Sequence, residues 1–459
     1  MQAANEQGGL RIPPLWALMI AGTGLAAISG GARATFGLFL DPVVDALDAD
    51  RAMYGLAIAI QAIVWGIGQP IAGAVADRFG AARVLAFGAV VYASGLFIMG
   101  ASTQSWTIHL STGFLVGVGM AAASFSVVLA SVSRLVPEER RSWALGVTTA
   151  FTTAGQVVMI PVTQWLIDEQ GWRTAAVFLG ILLAVMLLST PFFRGNANDQ
   201  NRAVGVMEEK TPLAHDLRKA AHSRGFLMLN AAFFVCGFHV TFIATHLKSY
   251  TGDLGQPGSI AAWALVLIGL FNMAGSYWAG VMGGRHSKTK LLTIVYGLRA
   301  VVIAAFVLLP ASSGSTLIFG AAIGLLWLTT VPLTSGIVAQ QFGTANAGAL
   351  FGIVFLGHQI GAFIGAWLGG YLADTTGSYL VVWWISVGLG VFAAVVHLFL
   401  DEGPAPEPPA PGAARSRVAP VATAVVLTVL ITSVAAVAAP AADASQPAVY
   451  CGLHAFLPG

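Results

Sequence analysis

Four ionisable side chains stand inside long apolar stretches of the chain: Arg33, His239, Arg299 and His358. No Asp or Glu lies within seven residues of any of them. An arginine stays charged at every accessible pH, and its five N–H donors in a low-dielectric setting need acceptors or counter-charge. With no carboxylate nearby in sequence, a bound anion is the natural partner, and a carboxylate fits the guanidinium fork bidentately. Histidine adds hydrogen bonds or takes a proton near neutral pH. The chemistry suggested is recognition of a small organic anion, with proton coupling through His239 or His358. Gln61, Gln156 and Asn272 are polar candidates for the same cavity, although each could equally tie one helix to another. Blander roles compete: Arg33 could snorkel outward, and Arg299 could bond to neighbouring carbonyls. His109, His246 and His397 fall near the ends of apolar runs and are expected at the interface. No nucleophile–base set, metal-ligand spacing or Gly-x-x-x-x-Gly-Lys-Ser/Thr loop is visible, so neither enzyme activity nor a metal or cofactor is expected.

The elements that must hold these residues follow from composition. Of 459 residues 57% are hydrophobic and only 9% charged, with 54 glycines and a net charge of +2. A soluble globular chain carries about 25% charged residues. The deficit excludes an ordinary soluble enzyme, a disordered chain and a nucleic-acid binder, which would need a basic face. This is a polytopic membrane protein whose surroundings are the lipid bilayer. Its first residues, MQAANEQGGLRIPP, lack the pattern of a removable signal peptide.

A helix needs about 20 apolar residues to cross the hydrocarbon. Twelve such runs are expected at 15–40, 53–75, 83–101, 107–132, 143–166, 174–193, 225–247, 259–282, 291–310, 316–339, 348–372 and 380–400. Arg33 then lies eight residues before Asp41, about 12 Å below the outer end of the first span at 1.5 Å per residue. With the N-terminus in the cytoplasm, seventeen of the 22 Lys and Arg residues fall inside and only Arg51, Arg173 and Lys248 outside. Arg33 and Arg299 remain within spans. This bias sets both ends of the twelve-span body in the cytoplasm of a multi-pass protein of the cell membrane.

The polar stretch 194–224 divides the body into six spans plus six, and an internal repeat appears at an offset of 206–207. Gly31, Thr35 and Phe36 align with Gly237, Thr241 and Phe242. Gly68, Gly73, Arg78 and Arg83 fall on Gly275, Gly280, Arg285 and Lys290, and Leu166, Asp168 and Gly171 on Leu372, Asp374 and Gly377. Duplicated halves place a substrate cavity between them near the bilayer midplane. The organisation expected is a cytoplasmic N-terminus (1–14), an N-terminal half (15–193), a cytoplasmic loop (194–224), a C-terminal half (225–400), a Pro-rich linker (401–417) and a hydrophobic tail (418–459). That tail resembles a misplaced signal sequence and is expected to be dispensable.

Between the second and third spans the chain reads Gly73-Ala-Val-Ala-Asp77-Arg78-Phe-Gly80-Ala-Ala-Arg83. This resembles the signature loop of the major facilitator superfamily, and the second copy, around Gly280 and Arg285, has lost its acid. The resemblance implies an all-α membrane fold of twelve helices in two pseudo-symmetric halves, working by alternating access. It further implies that Gly73, Asp77, Arg78, Gly80 and Arg83 form a cytoplasmic latch, with Arg78 and Arg83 paired to acids near spans four and eleven. Within the superfamily the segments Arg33–Pro42 and Gln61–Pro70 are most similar to monocarboxylate and oxalate–formate carriers. Carriers of that branch commonly place an arginine in span eight, where this chain has Asn272. The expected function is transport of an organic anion by a monomer. Efflux of apolar drugs, or less so a sensor with a transporter fold, stands as the alternative.

Overall fold

The computed structural model describes residues 14–123, 127–128, 132, 138–194, 213–343 and 346–405. Everything described is helix or short connection. The N-terminal half contains α1 (Leu15–Leu47, passing through a 3-10 turn at Phe36–Phe39), α2 (Arg51–Phe79), α3 (Ala81–Ala101), α4 (residues 105–122), α5 (Glu138–Gln170) and α6 (Trp172–Phe193). A short connector helix, Leu213–His222, precedes the C-terminal half. That half contains α7 (Arg224–Asp253), α8 (Gly258–Gly283), α9 (Lys288–Leu308), α10 (Ser313–Phe342), α11 (Ala347–Thr376) and α12 (Leu380–Leu398). Among the described residues, ten helices are long and apolar enough to cross a membrane. Large apolar side chains such as Leu188, Tyr277, Trp278 and Ile318 cover their outward faces, as a lipid solvent requires.

Most of the expected runs sit inside these helices, which extend a few residues further, while the runs 291–310 and 380–400 overshoot α9 and α12 by two residues each. Three features depart from the simple runs. The fourth span is continuous helix over the described residues to Ala122 and carries a π-helical stretch at His109–Leu115. α10 is broken at 326–329. The 194–224 loop contains the connector helix, held to the start of α11 by a 2.8 Å bond from the Asn346 amide to Asp216. The bond from Asn346 holds the Asp216 carboxyl below its usual range. The 1–13 segment, most of the linker and the 418–459 tail lie outside the described residues.

The duplication is legible in three dimensions. α1 packs on α5 as α7 packs on α11; α3 on α6 as α9 on α12; α2 on α4 as α8 on α10. Across the boundary α2 meets α11 and α5 meets α8, again a symmetric set. Gly155 and Gly361, 206 residues apart, sit at equivalent crossings. A Cβ on Gly155 would collide with the Ala27 carbonyl of α1, and one on Gly361 with the Phe234 carbonyl of α7. Gly171 and Gly377, another equivalent pair, have φ of +83° and +67° and end α5 and α11, a backbone conformation that suits glycine.

His246 and His397, expected at the interface, are instead buried, at 1% and 2% exposure. His246 is held between the Tyr379 hydroxyl (3.2 Å) and the Ala366 carbonyl (2.7 Å). His397 donates to the Ala393 carbonyl and stacks on Tyr296. Proximity to a helix end does not expose a ring when the neighbouring helix overhangs it.

Candidate functional site

Arg33 projects from α1 onto Trp65, near the middle of α2, with its guanidinium 5.1 Å from the ring centroid. Among the described residues it makes no ion pair and no hydrogen bond, and the titratable group acting on it is Tyr92 of α3. A cation–π contact stabilises by about 0.5–2 kcal/mol, while an unpaired ion in low dielectric costs several. Arg33 is half-buried rather than enclosed, and the stacking alone leaves part of the guanidinium's demand unmet. Trp65 in turn packs edge-to-face on Phe355 of α11 at 5.1 Å, and Phe355 stacks on His358 at 5.5 Å. Arg33, Trp65, Phe355 and His358 thus form one continuous contact from the N-terminal to the C-terminal half, at mid-depth of the bundle. His358 also bonds to the neighbouring Gln359 amide oxygen (3.0 Å).

The remaining candidates are not gathered there. His239 is 1% exposed and its Nε2 lies 2.7 Å from the Ser386 carbonyl of α12. Arg299, also 1% exposed, donates to the Leu326 carbonyl from Nε (3.0 Å) and Nη2, and to the Trp327 carbonyl from Nη2. From the other side Asn272 accepts the Leu328 N–H (3.0 Å) and the Ser276 hydroxyl (3.1 Å). Arg299 and Asn272 together satisfy the backbone groups that the α10 break leaves free, as buried backbone requires. Gln61 donates to the Thr112 carbonyl (3.0 Å) and ties α2 to α4. Gln156 packs over Gly269 where α5 meets α8.

At one end of the bundle the halves are clasped. Arg51, at the start of α2, makes two hydrogen bonds to Asp253 at the end of α7 (2.6 and 2.7 Å) and lies 3.6 Å from Asp41. The Arg51 and Ala52 N–H groups donate to Asp374 of α11 at 3.3 and 2.7 Å. Lys248 of α7 donates to the Leu38 carbonyl of α1 (3.1 Å). At Gly37 the two backbones approach so closely that a Cβ would strike the Ala244 carbonyl. These acids and bases are 202 to 323 residues apart for the Arg51 bonds, so sequence reading saw each only as a charge near a span end.

At the opposite end, Gly80 (φ +100°) makes the turn from α2 to α3. Arg83 donates to the Phe79 carbonyl (3.2 Å), and Arg78 stacks on Phe79 at 5.3 Å. Among the described residues neither arginine pairs with an acid. Gly73 has open space beside it, and the side chain of Asp77 lies outside the description.

Twelve membrane helices in two repeated halves, clasped at one end and meeting at a mid-depth site, define a membrane carrier. The chain belongs to the Major Facilitator Superfamily, whose model matches residues 23–349. It is 25% identical over 395 residues to the uncharacterized MFS-type transporter YcxA of Bacillus subtilis, covering 82% of this chain and 93% of that protein. It is also 25% identical over 393 residues to monocarboxylate transporter 13 of Rattus norvegicus (84% and 89% covered). With the oxalate:formate antiporter of Oxalobacter formigenes the identity is 23% over 366 residues (79% and 86%). The fold is similar to that of the xylose transporter XylE from E. coli in an inward-open conformation, with a TM-score of 0.67 at 13% identity, covering 84% of this chain and 96% of that one. The family and these relatives are transporters, which points away from an enzyme.

Proposed function

We propose that this protein is a secondary transporter that carries a small organic anion, a monocarboxylate, across the cell membrane by alternating access. The observation that carries the reading is the guanidinium of Arg33, resting on the face of Trp65, which itself meets Phe355 of the other half, with no acid paired to it among the described residues. The names of the monocarboxylate and oxalate:formate relatives support the same cargo. Charge bias along the chain puts the N-terminus and the connector in the cytoplasm. The clasp around Arg51 then closes the outer end, and the arrangement is an inward-facing one. Both halves of the site come from one chain, so a monomer suffices. Of the two candidate histidines, His358 adjoins the site while His239 is committed to Ser386, so a co-transported proton is assigned to His358. Neither Arg299 nor Asn272 contributes to the cargo in this reading; both brace α10.

The test is uptake of labelled lactate, pyruvate, formate and oxalate into proteoliposomes, with and without a pH gradient. Arg33→Gln is expected to lower uptake at least about tenfold, the loss of one charged hydrogen-bonding group. Equal rates in the two proteins would remove Arg33 from the site. One observation favours efflux of apolar compounds instead: a groove of about 520 Å³ on α2–α4, lined by Val64, Ile67, Ile71 and Phe114 among others. Much of that lining is exposed on the outer face of the bundle, away from the boundary that alternating access must open. Stabilisation by lipophilic cations alone would nevertheless decide for efflux.

A further inference from the structure

Among the described residues, no acceptor is bonded to Arg33 and two donors near it stand unpaired. The indole N–H of Trp65 and the hydroxyl of Tyr92 are both buried without a hydrogen-bond partner. Tyr92 is wholly buried on α3, where Gly119 of α4 packs against it, and Arg33 is the charge within reach of its phenol. Leaving a buried polar group unmade costs about 1–3 kcal/mol. Two such groups, the Trp65 indole under the guanidinium and the Tyr92 phenol within reach of its charge, mark a place that suits an acceptor none of the described residues supplies. All three belong to the N-terminal half, on α1, α2 and α3. The facing wall, from α11, consists of Phe355 and His358, flat and without formal negative or arginine charge. The fully buried arginine, Arg299, already serves the Leu326 and Trp327 carbonyls. Charge recognition is therefore confined to one side of the site and aromatic surface to the other.

Resting on the anion reading above, we propose that the cargo is a monocarboxylate with a planar apolar tail. Trp65 Nε1–H and the Tyr92 hydroxyl join Arg33 on its carboxylate, and Phe355 with His358 receives the tail. One carboxylate offers about four lone-pair positions, enough for the guanidinium fork and both additional donors. The second charge of a dicarboxylate would face the Phe355 ring, whose quadrupole is negative, with its hydration lost and only a protonated His358 to replace part of it. A very short acid fills the donor end and leaves the Phe355 face uncovered. Neither added donor is open to water in this arrangement, so the ligand reaches them as the halves part and re-close.

The experiment is isothermal titration calorimetry on the full chain in lipid nanodiscs with three probes: phenylpyruvate, pyruvate and oxalate. Phenylpyruvate is expected to bind about tenfold or more tighter than pyruvate, with oxalate weakest. Phe355→Ala shrinks the phenylpyruvate-to-pyruvate ratio to about twofold, because it removes surface that only the larger tail covers. Tyr92→Phe, which keeps the ring and therefore the packing, weakens both monocarboxylates about fivefold or more. Oxalate binding tightest, an unchanged ratio in Phe355→Ala, or unaltered affinities in Tyr92→Phe would overturn the proposal. If pyruvate binding still disappears in Arg33→Gln under those outcomes, the anion reading stands without it. Failure of all three acids to bind the unmodified protein removes both.

Discussion

Arg51 holds Asp253 through two parallel hydrogen bonds of 2.6 and 2.7 Å, fastening the start of α2 to the end of α7 across the boundary between the halves. The two side chains are 26% and 43% exposed, so solvent screens the pair, and such bridges contribute about 1 kcal/mol at most. That sum is small for folding but not for a carrier poised between two arrangements. A 1 kcal/mol bias changes a two-state population ratio about fivefold.

Asp253→Asn is accordingly expected to raise the population with the outer end parted about fivefold. Distances between spin labels at Ala49 and Leu254, one on each side of the clasp, report it directly in nanodiscs. High salt should shift the unmodified protein the same way by a smaller amount. A distance distribution insensitive to both changes would mean that backbone packing at Gly37 and the Asp374 bonds alone hold the end closed.

Arg299 and Asn272 make the contrasting case, in which buried polar groups stabilise the scaffold. Removing the Arg299 donors strips the Leu326 and Trp327 carbonyls of partners inside the bundle. Hydrogen bonds from a charged group contribute about 1.5–3 kcal/mol each. Arg299→Gln should therefore lower the thermal unfolding midpoint by roughly 5 °C or more, while pyruvate affinity in calorimetry changes less than about twofold. Asn272→Ala should act in the same direction through the Leu328 N–H. An unchanged midpoint with lost binding would return Arg299 to the cargo site.

These cases separate what the chain displays in sequence from what it hides. The twelve helices and the duplication are legible because lipid demands long apolar runs and because close helix crossings demand glycine at fixed places, as at Gly155 and Gly361. Arg33 is legible because a charge among apolar residues stands out. Trp65 and Phe355 are not: on a helix that faces lipid on one side, an aromatic residue gives no hint of which side it faces. Arg299 was equally compatible with cargo and scaffold, since the 326–329 break that it serves falls in Leu-Trp-Leu-Thr, a run with no glycine or proline. The clasp was hidden for a simpler reason, its members being hundreds of residues apart.

Glu402, just past α12, accepts three hydrogen bonds beside the second copy of the signature loop. Its Oε1 accepts from the Ser287 hydroxyl (2.6 Å), the Thr289 N–H (2.7 Å) and the Thr289 hydroxyl (2.8 Å), at the N-terminus of α9. Nearby, Gln341 of α10 donates to the Asp401 carbonyl and accepts the Ala405 N–H on its own carbonyl. The segment after α12 is thereby strapped across α9 and α10. Partial burial pushes the Glu402 carboxyl up, but the Ser287 and Thr289 donors outweigh it and hold the group below the usual glutamate range. A depressed value means that the contact contributes fully above the ordinary glutamate value of about 4.3 and is lost as pH falls through the lower folded one. The strap should therefore stay closed from about pH 5 to 8 and loosen only in stronger acid. Its removal at neutral pH leaves first-turn N–H groups of α9 without an acceptor, so Glu402→Ala should speed hydrogen exchange at Thr289 severalfold. Asp401→Ala, which keeps the backbone carbonyl that Gln341 uses, should leave that exchange unchanged. Equal exchange at Thr289 in all three proteins would show that the α9 N-terminus is satisfied without Glu402.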